Sequence, residues 1–253
     1  PLANFTTFKD TLITIDGVDH IQDRYLFGNA TSSSAMYGAS LAIGARVYAP
    51  FDKAYAQTLK KDAVRVWSWL QKNPDPIYRW DDGQESGSGP YDKKTDLEER
   101  IWLAAELFRT TGDKTYENYL AKAARKRITE KPSFFTWDNT LALGQFAYLK
   151  SKHADPVLQA EVKKAFLSYA DEICQKIAGD GFHCALASSE YTWASTKNAL
   201  TQGDILLMAN QIEPKQAYVE GALAQIHYLF GRNSLNKSFM TGMGDNPPEH
   251  PHN

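Results

Sequence analysis

Apolar positions recur along this chain with the period of a helix. Tyr55, Leu59, Ala63, Val66, Trp67 and Leu70 fall on one face of a 3.6-residue repeat. The same template fits Tyr116, Leu120, Ala123, Ala124 and Ile128, then Leu158, Val162, Phe166, Tyr169 and Ile173, and then Tyr218, Ala222, Ile226, Leu229 and Phe230. Each run follows a short polar or proline-bearing turn: Pro50-Phe51-Asp52, Thr111-Gly112-Asp113, Ala154-Asp155-Pro156 and Glu213-Pro214. Aspartate suits the helix N-cap and proline the first turn. Before each turn lies a second apolar segment, at about Ser33–Tyr48, Glu98–Arg109, Thr140–Lys150 and Ser195–Asn210. The first of these is rich in Ala and Gly (Ala35, Gly38, Ala39, Ala42, Gly44, Ala45), as expected of a helix buried on several sides.

The pattern predicts an all-α chain of four helical hairpins, each a buried helix, a tight turn and an amphipathic return helix. Such a stack is either a solenoid or an arc of a closed α/α barrel. The links 77–96, 130–139, 179–196 and 231–253 are long, aromatic and glycine-rich, which favours the barrel and gathers all four at one end of the hairpins. No strand-rich block is expected, and Asp10, Asp16, Asp19 and Asp23 are read as acids of an early loop.

Composition narrows the function. A net charge of −2 over 253 residues argues against nucleic-acid binding, and no apolar run is long enough to cross a bilayer. Cys174 and Cys184 allow either a short disulfide loop or two free thiols. The chain begins at Pro1 without Met or a signal peptide and stops at Asn253, so both ends read as cuts through something larger.

The stretch Ser238-Phe239-Met240-Thr241-Gly242-Met243-Gly244-Asp245-Asn246-Pro247-Pro248-Glu249-His250-Pro251-His252-Asn253 resembles the histidine signature of glycoside hydrolase family 9, the cellulase family. Glu98-Glu99-Arg100-Ile101-Trp102-Leu103-Ala104-Ala105-Glu106-Leu107 with Thr111-Gly112-Asp113 resembles its acidic-pair helix. Tyr191-Thr192-Trp193-Ala194-Ser195 resembles its Trp-Gly-Ser segment, and Tyr218 to Asn233 a helix ending in Leu-Gly-x-Asn. The resemblance implies an (α/α)6 barrel, of which residues 1–253 would supply about four of six hairpins. They would form the middle of one catalytic domain, with the N- and C-terminal parts missing.

It also implies inverting hydrolysis of β-1,4-glucan, in which one carboxylate activates water and another protonates the leaving oxygen. The family's Asp base falls upstream of the matched region and its Glu acid downstream. No catalytic residue is therefore expected within this chain, and the chain by itself is expected to be inactive. For substrate binding the resemblance implies His252 and Trp193; Tyr91, in Gly87-Ser88-Gly89-Pro90-Tyr91, is expected to line the same groove, with weaker claims for His250, Asn253 and Trp80. An indole face suits the apolar face of a sugar ring. Glu98, Glu99 and Asp138 resemble the acidic ligands of a structural calcium site, which needs 6–8 oxygens. Their competing reading is a capping box from Asp96 to Glu99.

The partners implied are a β-linked polysaccharide or oligosaccharide and the missing segments of the same domain, with no nucleic acid or membrane. The location implied is secreted, extracellular or periplasmic. Two alternatives stand beside the glucanase. One is an exo-acting β-glucosaminidase of the same family, acting on chitosan oligosaccharides. The other is a noncatalytic carbohydrate-binding helical scaffold.

Overall fold

The computed structural model describes residues 12–15, 18–21, 29–77 and 93–249, the first two stretches as backbone only. A β-hairpin leads, with β1 (Leu12–Ile15) antiparallel to β2 (Val18–Ile21). Nine helices follow among the described residues. They are α1 (Thr31–Tyr48), α2 (Lys53–Lys72), α3 (Leu97–Thr111), α4 (Lys114–Lys122), α5 (Arg125–Ile128), α6 (Leu141–Leu149), α7 (Pro156–Gly179), α8 (Ser195–Ile212) and α9 (Gln216–Leu229). Helix dominates the fold, and the four expected hairpins are present: α1/α2, α3/α4–α5, α6/α7 and α8/α9. No helix among the described residues is long and apolar enough to cross a membrane.

Local sequence accounts for the starts of three of the four return helices. Asp52 accepts from Tyr55 N at 2.9 Å, Asp113 from Thr115 N at 2.8 Å, and Asp155 from Val157 N and Leu158 N at 3.0 and 2.9 Å. Each cap is worth about 1 kcal/mol. The fourth turn differs. Pro214 lies outside α9, whose N-cap is Lys215, and the Asn210 side chain of α8 accepts from Lys215 N at 3.0 Å. Gly112 closes α3 at φ 72, a left-handed position that suits glycine.

The small-residue helices form the inner layer. α1 packs on α3, α3 on α6, and α6 on α8, while α2, α4, α7 and α9 lie behind them. Close approach depends on glycine: a Cβ on Gly144 would meet Ile101 Cγ2 at 2.9 Å and the Trp102 backbone at 3.1 Å. One core runs from Ala35 through Trp67, Leu103 and Phe108 to Leu158, and a second from Phe166 through Leu206 to Tyr218. Polar bolts join neighbouring elements. Glu106 of α3 pairs with Arg46 of α1 and accepts from Trp102 Nε1 at 3.2 Å.

Two expectations need correction. The early acids do not all belong to a loop, because Asp19 lies in β2, paired with Thr14. Asp16-Gly17 stands between the two strands, and an Asp-Gly pair between β-branched runs is a strong hairpin signal. The second return helix is also not continuous. It breaks at Ala123-Ala124, so that Ile128 turns into the core and its carbonyl meets the buried Gln145 of α6 at 2.7 Å. Ala is a strong helix former, so tertiary packing and not propensity sets this break. Cys174 and Cys184 are free thiols.

Candidate functional site

Between α7 and α8 the chain makes a long excursion whose far end carries Trp193. Its near end is held by Asp180, whose carboxylate accepts from Phe182 N and Cys184 N, both at 2.9 Å. Gln225 of α9, fully buried, accepts from Ala185 N at 2.9 Å and donates to the His183 carbonyl at 3.1 Å. Next comes a 3-10 turn, Ser188–Glu190. Glu190 accepts from Lys176 of α7 at 3.2 Å, from Gln202 of α8 at 3.3 Å and from Ala187 N at 2.7 Å.

Beyond this anchor Trp193 projects with 86% of its surface exposed. Ala194 follows at φ 61, ψ 27 as the N-cap of α8. A left-handed backbone costs a residue with a Cβ roughly 1–2 kcal/mol. The resembled family segment has glycine at this position, so the chain keeps the turn and bears that strain.

The C-terminal link packs against the same region. Asn233, buried, donates to the carbonyls of Tyr228 and Lys237 at 2.9 and 2.8 Å. Phe239 N bonds the Leu229 carbonyl at 2.8 Å, and Ser238 N the Asp245 carbonyl at 3.1 Å. Tyr228 joins the two links: its ring meets Phe239 edge-on at 5.8 Å, and its hydroxyl lies beside Tyr191 and Cys184. Burial, then the Cys184 and Tyr228 contacts, pushes the Tyr191 hydroxyl up, and burial pushes up the Cys184 thiol. The Trp193 loop and the signature loop, distant in sequence, therefore share one support. His252, His250, Asn253, Tyr91 and Trp80 lie outside the described residues.

The acidic cluster at the start of α3 is built differently from the expectation. Asp96 makes no side-chain cap, so the capping box does not form. Its carboxylate pairs with Arg100 at 2.8 Å, and Arg100 also donates to the carbonyls of Leu70 and Asn73 at 2.9 and 2.7 Å. Arg100 thereby covers the C-terminal end of α2, where unpaired carbonyls favour a cation.

Glu98 and Glu99 converge with the Asp138 backbone on the Lys93 ammonium. Lys93 Nζ donates to Glu99 Oε1 at 2.5 Å and to the Asp138 carbonyl, and lies 3.9 Å from Glu98 Oε2. Glu98 also accepts from Arg127 Nε at 3.1 Å and Thr140 N at 3.2 Å. The Asp138 carboxylate accepts from the Thr136 hydroxyl instead. Burial raises the Glu99 carboxyl above its ordinary range, and the Lys93 hydrogen bond opposes that rise.

This donor set does not fit calcium. Its centre holds an ammonium, Glu98 is committed to Arg127, and the third carboxylate points away. Among the described residues no three His, Cys, Asp or Glu side chains form a metal-holding group. Lys93, Glu190 and Gln225 carry these two regions, yet no local pattern marks them in the sequence. An open depression of about 510 Å³ between Lys164, Asp171, Glu172, Glu213 and Lys215 lies on the outer helices, and its Lys215 and Asp171 pair with each other.

Inner and outer helices in paired hairpins define an all-α fold of the (α/α)6-barrel class. The family model of glycosyl hydrolase family 9 matches residues 14–253, and the chain belongs to that family. It is 34% identical over 236 residues to endoglucanase D of Acetivibrio thermocellus, covering 91% of this chain and 37% of that protein. It is 26% identical to a xyloglucan-specific endo-β-1,4-glucanase of Bacteroides ovatus, covering 93% of this chain and 42% of that protein. The crystal structure of the family 9 endoglucanase J30 superposes with a TM-score of 0.87 at 43% identity, covering 91% of this chain and 42% of that one. The chain thus spans about two fifths of the length of these relatives.

Proposed function

We propose that the protein containing this chain is a glycosidase that hydrolyses β-1,4-linked glucan with inversion at the anomeric carbon. The observation that carries this reading is the match to family 9 through residues 14–253, with relatives named as endoglucanases. In this reading residues 1–253 are the middle portion of one (α/α)6 catalytic domain. Trp193 offers its exposed indole as a platform for a sugar ring, a role supported by its exposure and by the anchors behind it. His252, by resemblance, and Tyr91, from its place in Gly87-Ser88-Gly89-Pro90-Tyr91, belong to the same substrate-binding set. The base and the acid are assigned to no residue of this chain. The location proposed is extracellular or periplasmic, where polymeric glucan is met.

The test is release of reducing sugar by the full-length polypeptide. Soluble β-1,4-glucan, xyloglucan and chitosan oligosaccharides are compared, and the anomer formed first is read by proton NMR. The expected result is cleavage of the glucan with initial α-anomer. A folded, full-length protein that leaves all three substrates intact sinks the proposal; cleavage of chitosan oligosaccharides alone replaces the substrate.

A further inference from the structure

We infer that the Lys93 ammonium is the resident cation of the Glu98–Glu99–Asp138 cluster, tying the segment before α3 to the turn before α6 without a metal ion. The inference does not depend on the proposed hydrolysis. Three observations carry it. The first is geometry: Nζ meets Glu99 Oε1 at 2.5 Å and the Asp138 carbonyl, with Glu98 Oε2 at 3.9 Å. These oxygens come from two segments about forty residues apart in sequence, and the one positive centre bridges them.

The second is burial. The Lys93 side chain is only 11% exposed and Glu99 is fully buried. Lysine is rarely buried unless paired, and an unpaired buried carboxylate is costly. The third is charge. Glu99 faces Lys93, and Glu98 faces Lys93 and an Arg127 that it shares with Glu130, so both carboxylates already have cationic partners. A dication at the same oxygens would stand beside the ammonium and be repelled by it. Calcium also requires 6–8 oxygens. Here Glu98 Oε1 is held by Arg127 and the Asp138 carboxylate by Thr136.

One atom defines the converse case. Glu99 Oε2 is buried without a hydrogen-bond partner. Removing the amine would take the cation from Glu99 Oε1, Glu98 Oε2 and the Asp138 carbonyl, leaving Thr140 as the donor to both carboxylate oxygens, an oxygen set of the kind calcium takes. A neutral side chain at position 93 should therefore convert a metal-independent tie into a calcium-dependent one.

The experiment compares the full-length wild type with Lys93→Met, Lys93→Arg and Lys93→Met/Glu99→Gln. Thermal unfolding is recorded after dialysis against chelator and again in excess calcium chloride, and bound calcium is counted by mass spectrometry. The wild type and Lys93→Arg are expected to unfold at the same temperature in both buffers. Lys93→Met should melt on the order of 10 °C lower in chelator, the cost of a buried carboxylate without its partner. Calcium should restore it, with one more ion per chain than the wild type, and Glu99→Gln should abolish that ion. A wild type that loses stability in chelator, together with a calcium that Glu99→Gln removes, overturns the inference. So does a Lys93→Met protein as stable as the wild type without calcium. If Lys93→Met does not fold in chelator, the wild-type and Lys93→Arg arms decide.

Discussion

Glu117 should be among the most costly single residues of the fold to remove. It sits on α4, on an outer helix, yet its side chain is buried. Oε1 accepts from the Tyr148 hydroxyl of α6 at 3.0 Å and from Asp155 N, in the turn entering α7, at 2.5 Å. Oε2 accepts from Lys114 Nζ at 2.6 Å. The second and third hairpins are thereby clamped at one carboxylate. Glu117→Ala strands the Tyr148 hydroxyl, which is fully buried, and the Asp155 amide. The stranded hydroxyl costs about 1–3 kcal/mol and the Asp155 amide, on an exposed residue, about 0.5–1.5 kcal/mol, while the exposed Lys114 adds little. The sum is about 2–4 kcal/mol, or roughly 4–16 °C in Tm for a domain of this size or somewhat smaller.

Tyr148→Phe removes one bond to a charged acceptor and should cost about 1.5–3 kcal/mol. The double variant should cost less than the sum of the singles, with a coupling of about 1–2 kcal/mol, because the hydroxyl stranded by Glu117→Ala is then absent. Urea unfolding of the four proteins, followed by circular dichroism, closes the cycle. A Glu117→Ala midpoint shift worth under about 1 kcal/mol, or strict additivity, would show that this carboxylate is not the clamp described.

Three further outcomes are expected. Gly144→Ala should lose about 1–2 kcal/mol although alanine favours helix, since its Cβ would press on Trp102 backbone that cannot yield. Gly179→Ala, which meets open space, should be neutral or slightly stabilising, and equal melting shifts for the two would refute the packing argument. Trp193→Ala should leave Tm within about 2 °C, because the indole is exposed, yet raise KM for soluble glucan roughly 5- to 30-fold. An unchanged KM would remove Trp193 from the substrate site. At high pH, burial pushes Tyr119 and Tyr218 from about 10 up to about 12. Their neutral forms favour the fold, so stability should be complete below about pH 10 and decline between about 10 and 12. Absorbance titration should show the buried tyrosines ionising only as the protein unfolds, after the exposed ones such as Tyr37 and Tyr55, and early reversible titration of every tyrosine would contradict the burial.

The four hairpins were legible because their determinants are local: one apolar face per helix, and Asp52, Asp113 and Asp155 each capping the residues that follow it. The β1/β2 hairpin was equally local, but the surrounding acids disguised it as a loop. Trp193 could be singled out from its motif. What supports it could not, because Glu190 answers to Lys176 and Gln202, and Tyr228 to Phe239 and Tyr191, on other elements. The same holds for Asp96, whose position invites a cap until Arg100 and the end of α2 claim it.

By itself, then, the sequence determined periodicity, capping and family motifs, and with them the helical hairpins and the family to which they belong. Tertiary structure decided which charges meet. Lys93 lies six residues from Glu99 and forty-five from Asp138, and nothing in its neighbours distinguishes it from the adjacent Lys94. Apolar periodicity is written residue by residue along a helix. An ion pair, by contrast, depends on where two distant backbones stop and on how much water is left between them.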